Sequence, residues 1–392
     1  MTHPANLYSA PAWLLPEYVE DVLPPYAATL EGLRARLLAL LNSHGYDYVQ
    51  PPMLEFLDSL LSAAGNELDL KTFKVIDSLS CRQMGVRADI TPQIARIDAH
   101  LLGRNGAVRL CYAGPVLHTR PDGMANRREP YQLGAELFGH AGIEADLEIL
   151  TLLLAAMQTC DLVHTRVSLG HVGLFRALVR AAGLDAETEA ALFTALRHKD
   201  VPELTARVVG LEVKWRAAFL ALTELYGGVE VIDTARAQLP AVDGVVQALD
   251  ELAILARGVH GADIGIDLAD LRGYGYHNGV VFAGYVGGQA QAVALGGRYD
   301  GTGARFGRAR PATGFSLDLR RVLDVMPEPV ATSGILAPYG NAIGLLDEIA
   351  RLRAAGERVV VELPGQEVWR ANSGCDRILI QAGSAWQIQP LI

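Results

Sequence analysis

Cysteine is scarce in this chain: Cys81, Cys111, Cys160 and Cys375 are all there are in 392 residues. No two of them form a C-x-x-C pair, and no Cys/His cluster has zinc-ligand spacing. A disulfide framework and a metal site are therefore not expected, and scattered buried thiols in a reducing compartment are. Basic charge is also in short supply, with 34 Lys and Arg against 44 Asp and Glu and a net charge of −10. Nucleic-acid affinity comes largely from cations that neutralise phosphates, so no nucleic-acid partner is expected. Long apolar runs are missing too. The stretch around Leu150 to Met157 is flanked by polar residues and far too short to span a bilayer. Met1-Thr-His-Pro lacks the basic region and apolar stretch of a secretory signal. A cytoplasmic protein with no membrane partner is the expectation.

What is present is a well-mixed globular composition, half hydrophobic and 20% charged, enough for more than one domain. Leu33, Leu37, Leu38 and Leu41 recur at helical spacing within Leu30 to Ser43, and Gly45 ends that helix. Tyr46 to Gln50, Phe73 to Ile76, Val86 to Ala88, Val108 to Tyr112 and Tyr131 to Phe138 read as strands. Thr91 opens a helix with Pro92 in its first turn, where the missing N–H costs little. A polar loop covers Thr119 to Pro130, and Ile143 to Cys160 is a long apolar-striped helix. From about Leu174 to Val259 the chain is Ala- and Leu-rich, with helix-period patterning and Asp185 and Asp200 placed as caps. Strand signals return at Ile264 to Ile266, Val280 to Tyr285 and Ala290 to Leu295. A sharp turn is then expected over Gly296 to Asp300, and a strand running into a helix over Gly314 to Val325. The tail offers a strand at Gly334 to Ala337, a helix at Ala342 to Ala355 and a strand at Val359 to Val361. The fold class is α+β: an antiparallel sheet core flanked by helices, in two parts at 1–173 and 261–327. An all-helical insertion at 174–260 separates them, and a small C-terminal α/β region follows at 328–392.

Polar groups gather at strand ends: Arg87, Asp89, Thr91, Arg120, Gln132, Glu136, Arg272, Tyr276, His277, Arg298 and Arg321. The two-residue period of a strand puts Gln132, Gly134 and Glu136 on one face, with a glycine gap where a ligand could approach. A polar outer sheet face explains the same pattern. Gly301-Thr-Gly303 with Gly307 does not match a phosphate-cradling loop, because no strand–glycine–helix order surrounds it. His118, His140 and His171 lack metal-ligand spacing, and neither order nor local motif yields a Ser-His-Asp or Cys-His arrangement. No catalytic residue, metal or cofactor is assigned.

Longer stretches carry a resemblance. Gly45-Tyr-Asp-Tyr-Val-Gln-Pro-Pro52-Met-Leu-Glu55 resembles motif 1 of class II aminoacyl-tRNA synthetases, with Pro52 on that motif's proline. Val86-Arg87-Ala-Asp89-Ile-Thr91 resembles a strand of histidyl-tRNA synthetases, and Thr119 to Gly139 resembles their motif 2 loop and strand. Leu271-Arg272-Gly-Tyr-Gly-Tyr276-His277-Asn278 is similar to their histidine-binding signature. Gly296-Gly-Arg298-Tyr-Asp300 and Gly314 to Arg321 cover their GGRYD turn and motif 3. The resemblance runs from about residue 10 to 325. It implies the class II synthetase-like fold and a homodimer built through motif 1 around Pro52.

The departures lie at the ATP site. Leu117 stands where synthetases place the arginine that grips the ATP α-phosphate, and Thr119 where they place a glutamate. Losing one such stabilising donor typically costs about 3 kcal/mol, on the order of a hundredfold in rate. Asp318 replaces the glycine that leaves room beside ATP, and Arg320 stands where an acidic residue precedes the motif 3 arginine, Arg321. Arg320 and Arg321 stand near enough in sequence to neutralise Asp318. The resemblance further implies that the synthetases' C-terminal anticodon-binding domain is reduced here to a fragment.

Arg87-Ala-Asp89-Ile-Thr91-Pro-Gln93 and Arg310-Pro-Ala-Thr-Gly-Phe-Ser-Leu-Asp318 are instead similar to a non-catalytic paralogue, the HisZ family. These are regulatory subunits of the short-form ATP phosphoribosyltransferase. That resemblance implies a hetero-oligomer in which the subunit activates short catalytic chains and confers feedback inhibition by histidine. Asp89, Thr91, Gln132, Glu136, Arg272 and Tyr276 match positions that hold histidine in the synthetases. Carboxylates suit its ammonium and imidazole N–H groups, and Arg272 suits its carboxylate. Asp89 replaces a glutamate there and His277 a tyrosine. Three alternatives stay open: a relic pocket with the effector at a subunit interface, an amino-acid-activating enzyme using Arg120 and Arg321 on ATP, and a nucleic-acid-binding accessory protein.

Overall fold

The computed structural model describes residues 13–61, 66–121, 127–329, 333–383 and 385–391. The middle of the polar loop before Pro130 lies outside them. The described residues of Met1–Asp21 and Leu30–Met326 form one compact unit, and those of Val22–Thr29 and Pro327–Ile392 another. No helix among the described residues is long and apolar enough to cross a membrane.

In chain order the first half runs α1 (Tyr26–Ser43), β1 (Asp47–Tyr48), β2 (Leu54–Phe56), α2 (Leu57–Leu60), α3 (Asn66–Lys71), β3 (Phe73–Ile76) and β4 (Gln83–Val86). It continues with α4 (Thr91–Arg96), β5 (Val108–Pro115), β6 (Tyr131–Phe138), α5 (Ile143–Thr159) and β7 (Thr165–His171). Helices α6 (Val172–Ala181), α7 (Ala186–Arg197), α8 (Val201–Val208) and α9 (Val213–Ala221) follow, then the two-residue β8 (Tyr226–Gly227). After α10 (Val231–Gln238) and α11 (Asp243–Gly258) come β9 (Asp263–Asp267), β10 (Val280–Val286), β11 (Ala294–Arg298), β12 (Ala312–Asp318) and α12 (Leu319–Val325). The second unit holds β13 (Ile335–Ala337), α13 (Leu345–Ala354), β14 (Val359–Val361), β15 (Arg377–Ala382) and β16 (Ala385–Pro390).

The large sheet has nine strands in the order β1-β5-β6-β12-β11-β10-β7-β9-β8. Most of its pairs are antiparallel, with parallel pairs at β1–β5 and β7–β9, so the sheet is mixed. Strict alternation along its central strands separates two apolar layers. Leu133, Ala135 and Leu137 face the main core with Leu33, Leu37 and Leu41 of α1 and the apolar stripe of α5. Residues of the opposite parity face a smaller cluster built from Ile90, Ile94, Tyr112, Phe138 and Tyr299. Each fully buried leucine contributes roughly 1.5–3 kcal/mol, so α1 and α5 lock the sheet from one side. Asp185 and Asp200 cap α7 and α8 as their sequence positions predict, accepting from the Thr188 N–H at 2.8 Å and the Glu203 N–H at 3.1 Å.

Several local expectations shift. The strand expected at Val86 to Ala88 ends at Val86, because the Arg87 side chain turns inward and donates to the carbonyls of Pro115 and Pro51, each at 2.9 Å. The turn expected at Gly296 to Asp300 is strand up to Arg298, and the strand expected from Ala290 begins at Ala294. Gly296 and Gly297 are there for closeness of approach: a Cβ on Gly296 would overlap the Phe282 ring and the Gly314 carbonyl. The chain reverses only at Gly301, whose φ of +83° suits glycine. Segment 174–260 is helical apart from β8, which closes the far edge of the sheet against β9.

In the second unit, β14, β13 and β15 pair in parallel and β16 returns antiparallel beside β15. Ile335, Leu345, Ile349, Leu352, Val359 and Leu379 form its core. The β15–β16 hairpin, turning at Gly383 with φ of +63°, is absent from the sequence-based expectation.

Candidate functional site

The smaller apolar layer surrounds one buried carboxyl group. Glu136 sits on β6, is 1% exposed, and lies opposite Gly314 of β12 and Leu110 of β5. Three hydroxyls converge on it. Thr91 donates to Oε1 at 2.9 Å, Tyr112 approaches the same oxygen at 3.2 Å, and Tyr299 donates to Oε2. Burial raises the carboxyl to about 8, against the downward pull of the Tyr299 and Thr91 hydroxyls, while the Asp89 charge adds to the rise. At neutral pH the carboxyl therefore keeps its proton.

The geometry follows from local sequence. Thr91 begins α4, its N–H donating to Asp89 Oδ1 at 3.1 Å, so Asp89 closes the turn that aims the Thr91 hydroxyl at Glu136. The Gln132 side chain, on the same face of β6, accepts from the Ile90 N–H at 3.0 Å and ties that turn to the sheet. Asp89, Thr91, Gln132 and Glu136 are thus brought together. The gap expected at Gly134 is filled by protein: a Cβ there would overlap the Tyr112 hydroxyl and the Phe315 carbonyl. Glycine serves here to admit the tyrosine.

The histidine-signature segment joins this group through Tyr299, whose ring stacks on Tyr276 with centroids 4.9 Å apart. His277 meets Tyr276 edge to face at 5.2 Å. Burial pushes the His277 imidazole down to about 4, so it is neutral at pH 7, although the carbonyls of Arg272 and Gly273 and the Asp270 charge oppose this. Arg272 is held by Asp270 Oδ1 at 2.8 Å and by the Tyr285 hydroxyl at 3.0 Å. Its side chain as a whole is a third exposed.

The positions expected at a degenerate ATP site are largely engaged with other parts of the protein. Leu117 is half-buried, its N–H donating to the Arg87 carbonyl at 3.1 Å. The Thr119 hydroxyl donates to the Leu70 carbonyl at 2.6 Å, and Arg120 is exposed in the bend that follows. Asp318 accepts from the Arg320 N–H at 3.1 Å and the Tyr131 N–H at 3.2 Å, capping α12. Burial raises its carboxyl, and Arg321 and the backbone donors lower it. Arg320 itself turns to the carbonyls of Glu129 and Glu20, and Arg321 donates to the Ala292 carbonyl at 2.9 Å. Arg298 is structural: it is 7% exposed and clamps Asp146 at 2.5 Å. No group of three metal-ligating side chains is found among the described residues.

Tyr112, Tyr299, Asp270 and Tyr285 belong to the site although sequence reasoning does not select them. The register would have found Tyr112, which pairs with Gly134, the glycine flagged beside Glu136.

With this geometry in hand, the likenesses to known proteins are specific. Residues 18–322 match the family model for histidyl-tRNA synthetase, and residues 332–389 match that for the ATP phosphoribosyltransferase subunit HisZ C-terminal domain. The ATP phosphoribosyltransferase regulatory subunit of Cupriavidus necator is 54% identical over 378 residues, covering 96% of this chain and 99% of that protein. The one from Azoarcus sp. is 52% identical over 379 residues, covering 97% and 99%. A solved Bacillus halodurans protein, titled an ATP phosphoribosyltransferase regulatory subunit/histidyl-tRNA synthetase, superposes with a TM-score of 0.84 at 26% identity, over 93% of this chain and 97% of that one. Histidyl-tRNA synthetase from Nostoc sp. PCC 7120 shares the fold at a TM-score of 0.79 and 16% identity, over 95% and 92%.

Proposed function

Because this chain belongs to the family of ATP phosphoribosyltransferase regulatory subunits, we propose that it binds the short catalytic chain of that enzyme, raises its activity, and makes it sensitive to histidine through the Glu136 pocket. The buried carboxyl of Glu136, ringed by hydroxyls and raised to about 8, is the observation that carries this reading. A carboxyl desolvated this far favours a ligand that brings its own N–H donor or positive charge, as an imidazole does. Asp89, Thr91 and Gln132 offer oxygen acceptors for an ammonium group, and Arg272 supplies the cation for a carboxylate. Tyr276 and His277 form an uncharged aromatic wall. Leu117 provides no cation for an ATP phosphate, and the Asp318 carboxylate stands where that nucleotide would need room. A second copy of the chain is the proposed partner at motif 1. In support, Leu54, Phe56 and Val75 share one exposed apolar face of the small sheet β2–β4–β3, next to exposed Pro52.

The test mixes the full chain with the short catalytic chain and follows condensation of ATP with phosphoribosyl pyrophosphate, without and with L-histidine. The expected result is a higher rate on mixing, inhibition by L-histidine, and loss of that inhibition in Glu136→Ala. An unchanged rate on mixing two folded proteins would overturn the regulatory role. Inhibition that survives Glu136→Ala would move the effector away from this pocket.

A further inference from the structure

The segment that carries Arg272, Tyr276 and His277 is anchored by helices α6 and α7. Arg176, half-buried on α6, donates to two carbonyls of the segment: His277 O at 2.9 Å and Tyr274 O at 2.5 Å. Tyr274 itself leaves the sheet and enters the helices. Its ring stacks on Phe193 of α7 at 4.8 Å, meets Phe175 of α6 edge to face at 5.5 Å, and lies 4.6 Å from the Arg176 guanidinium carbon. Its hydroxyl donates to Glu189 of α7. Within the segment, Gly273 has a φ of +63°, and a Cβ there would overlap the His277 ring. The segment between Arg272 and Tyr276 is thus a tight turn with Tyr274 at its apex, and Arg176 holds that apex and the carbonyl of His277 just past the turn.

We propose that Arg176 and Tyr274 are positioning residues that fix the distance between Arg272 and the Glu136 carboxyl, and so set selectivity for a ligand carrying both a carboxylate and an imidazole. This rests on the pocket reading above. The two halves of the site have separate supports. Glu136 is held by Thr91 at the start of α4, Tyr112 on β5 and Tyr299 just past β11, and Tyr276 has its own stacking partner in Tyr299. Arg272 opens the turn whose apex is tied to α6 and α7 through Tyr274 and Arg176, and it is otherwise held by Asp270 and Tyr285. Loosening the clamp should therefore release the carboxylate-binding cation and spare the imidazole end.

That asymmetry separates positioning from general stability. The experiment measures binding of L-histidine and of histamine, which lacks the carboxylate, to the full chain by calorimetry. It uses the wild type, Arg176→Ala, Arg176→Lys and Tyr274→Phe, the last keeping the ring and removing only the hydroxyl. Amide hydrogen exchange over 271–278 is followed in the same proteins. Arg176→Ala is expected to weaken L-histidine by roughly tenfold or more, as for loss of one charge-assisted contact, with histamine within about twofold of wild type. Arg176→Lys should recover part of the preference, and exchange should quicken in 271–278 while α5 keeps its protection. Equal losses for both ligands, or an unchanged preference for L-histidine, would overturn the proposal and leave the pocket standing. If the wild type binds neither ligand, the pocket reading fails with its selectivity, and unchanged exchange at 271–278 in Arg176→Ala would also dispose of the clamp.

Discussion

Replacing Glu136 by Gln keeps the shape of the side chain and removes its titration. Burial lifts the carboxyl from an ordinary 4.5 to about 8 in the fold. Between those values the unfolded chain has lost the proton and the folded one keeps it, so stability falls as pH rises. A group with a raised pKa contributes fully below its unfolded value and loses that contribution as pH passes its folded value. From pH 5 to pH 8 the loss amounts to roughly 3–4 kcal/mol, at 1.36 kcal/mol per pH unit with rounding near each end. The difference between wild-type and Glu136→Gln unfolding free energies isolates this one group, since every other titration is common to both. Urea melts at half-unit pH steps from 5 to 8.5 would read it. The Gln protein is expected to gain on the wild type steadily up to about pH 8, then hold a constant difference. Parallel curves over that range would refute the argument, because they would mean that Glu136 ionises in the fold as it does in the open chain.

Two further perturbations follow from the same site. His277 has the opposite sign: its folded pKa is depressed to about 4, so its contribution is present above about 6.5 and is lost as pH falls toward 4. His277→Asn should therefore be less acid-sensitive than wild type by roughly 2–3 kcal/mol between pH 6.5 and 4, read from thermal melts across that interval. Gly314→Ala places a Cβ against the Glu136 carboxyl and the Ala135 carbonyl. The expected cost is about 1–3 kcal/mol of overpacking, seen as a lower urea midpoint together with lost L-histidine binding.

How much of this was legible varied with the range of the interactions involved. Tyr131–Phe138 and Phe73–Ile76 have the bounds that the sequence predicts, because β-forming residues there are closed off locally by Pro130 and Gly139 and by Thr72 and Asp77. The shared face of Gln132 and Glu136 follows from the two-residue period of a strand. Ala294–Arg298 defeats local reading, since a Gly-Gly pair usually marks a turn and here admits the Phe282 ring from the neighbouring strand. Tyr299 and Tyr112 escape selection for a related reason. Their partner is a carboxyl on another strand, and nothing in their own neighbourhoods announces it. The inward turn of Arg87 likewise depends on carbonyls 28 and 36 residues away.

The cap formed by Asp318 also joins two elements. Its carboxylate holds the start of α12 and the Tyr131 N–H at the head of β6 together. Glycine at this position would release both donors, forfeiting a stabilisation typically of about 1 kcal/mol. Asp318 is thus a joint of the fold, and a change made there to admit a ligand would be felt first as a loosening between β6 and α12.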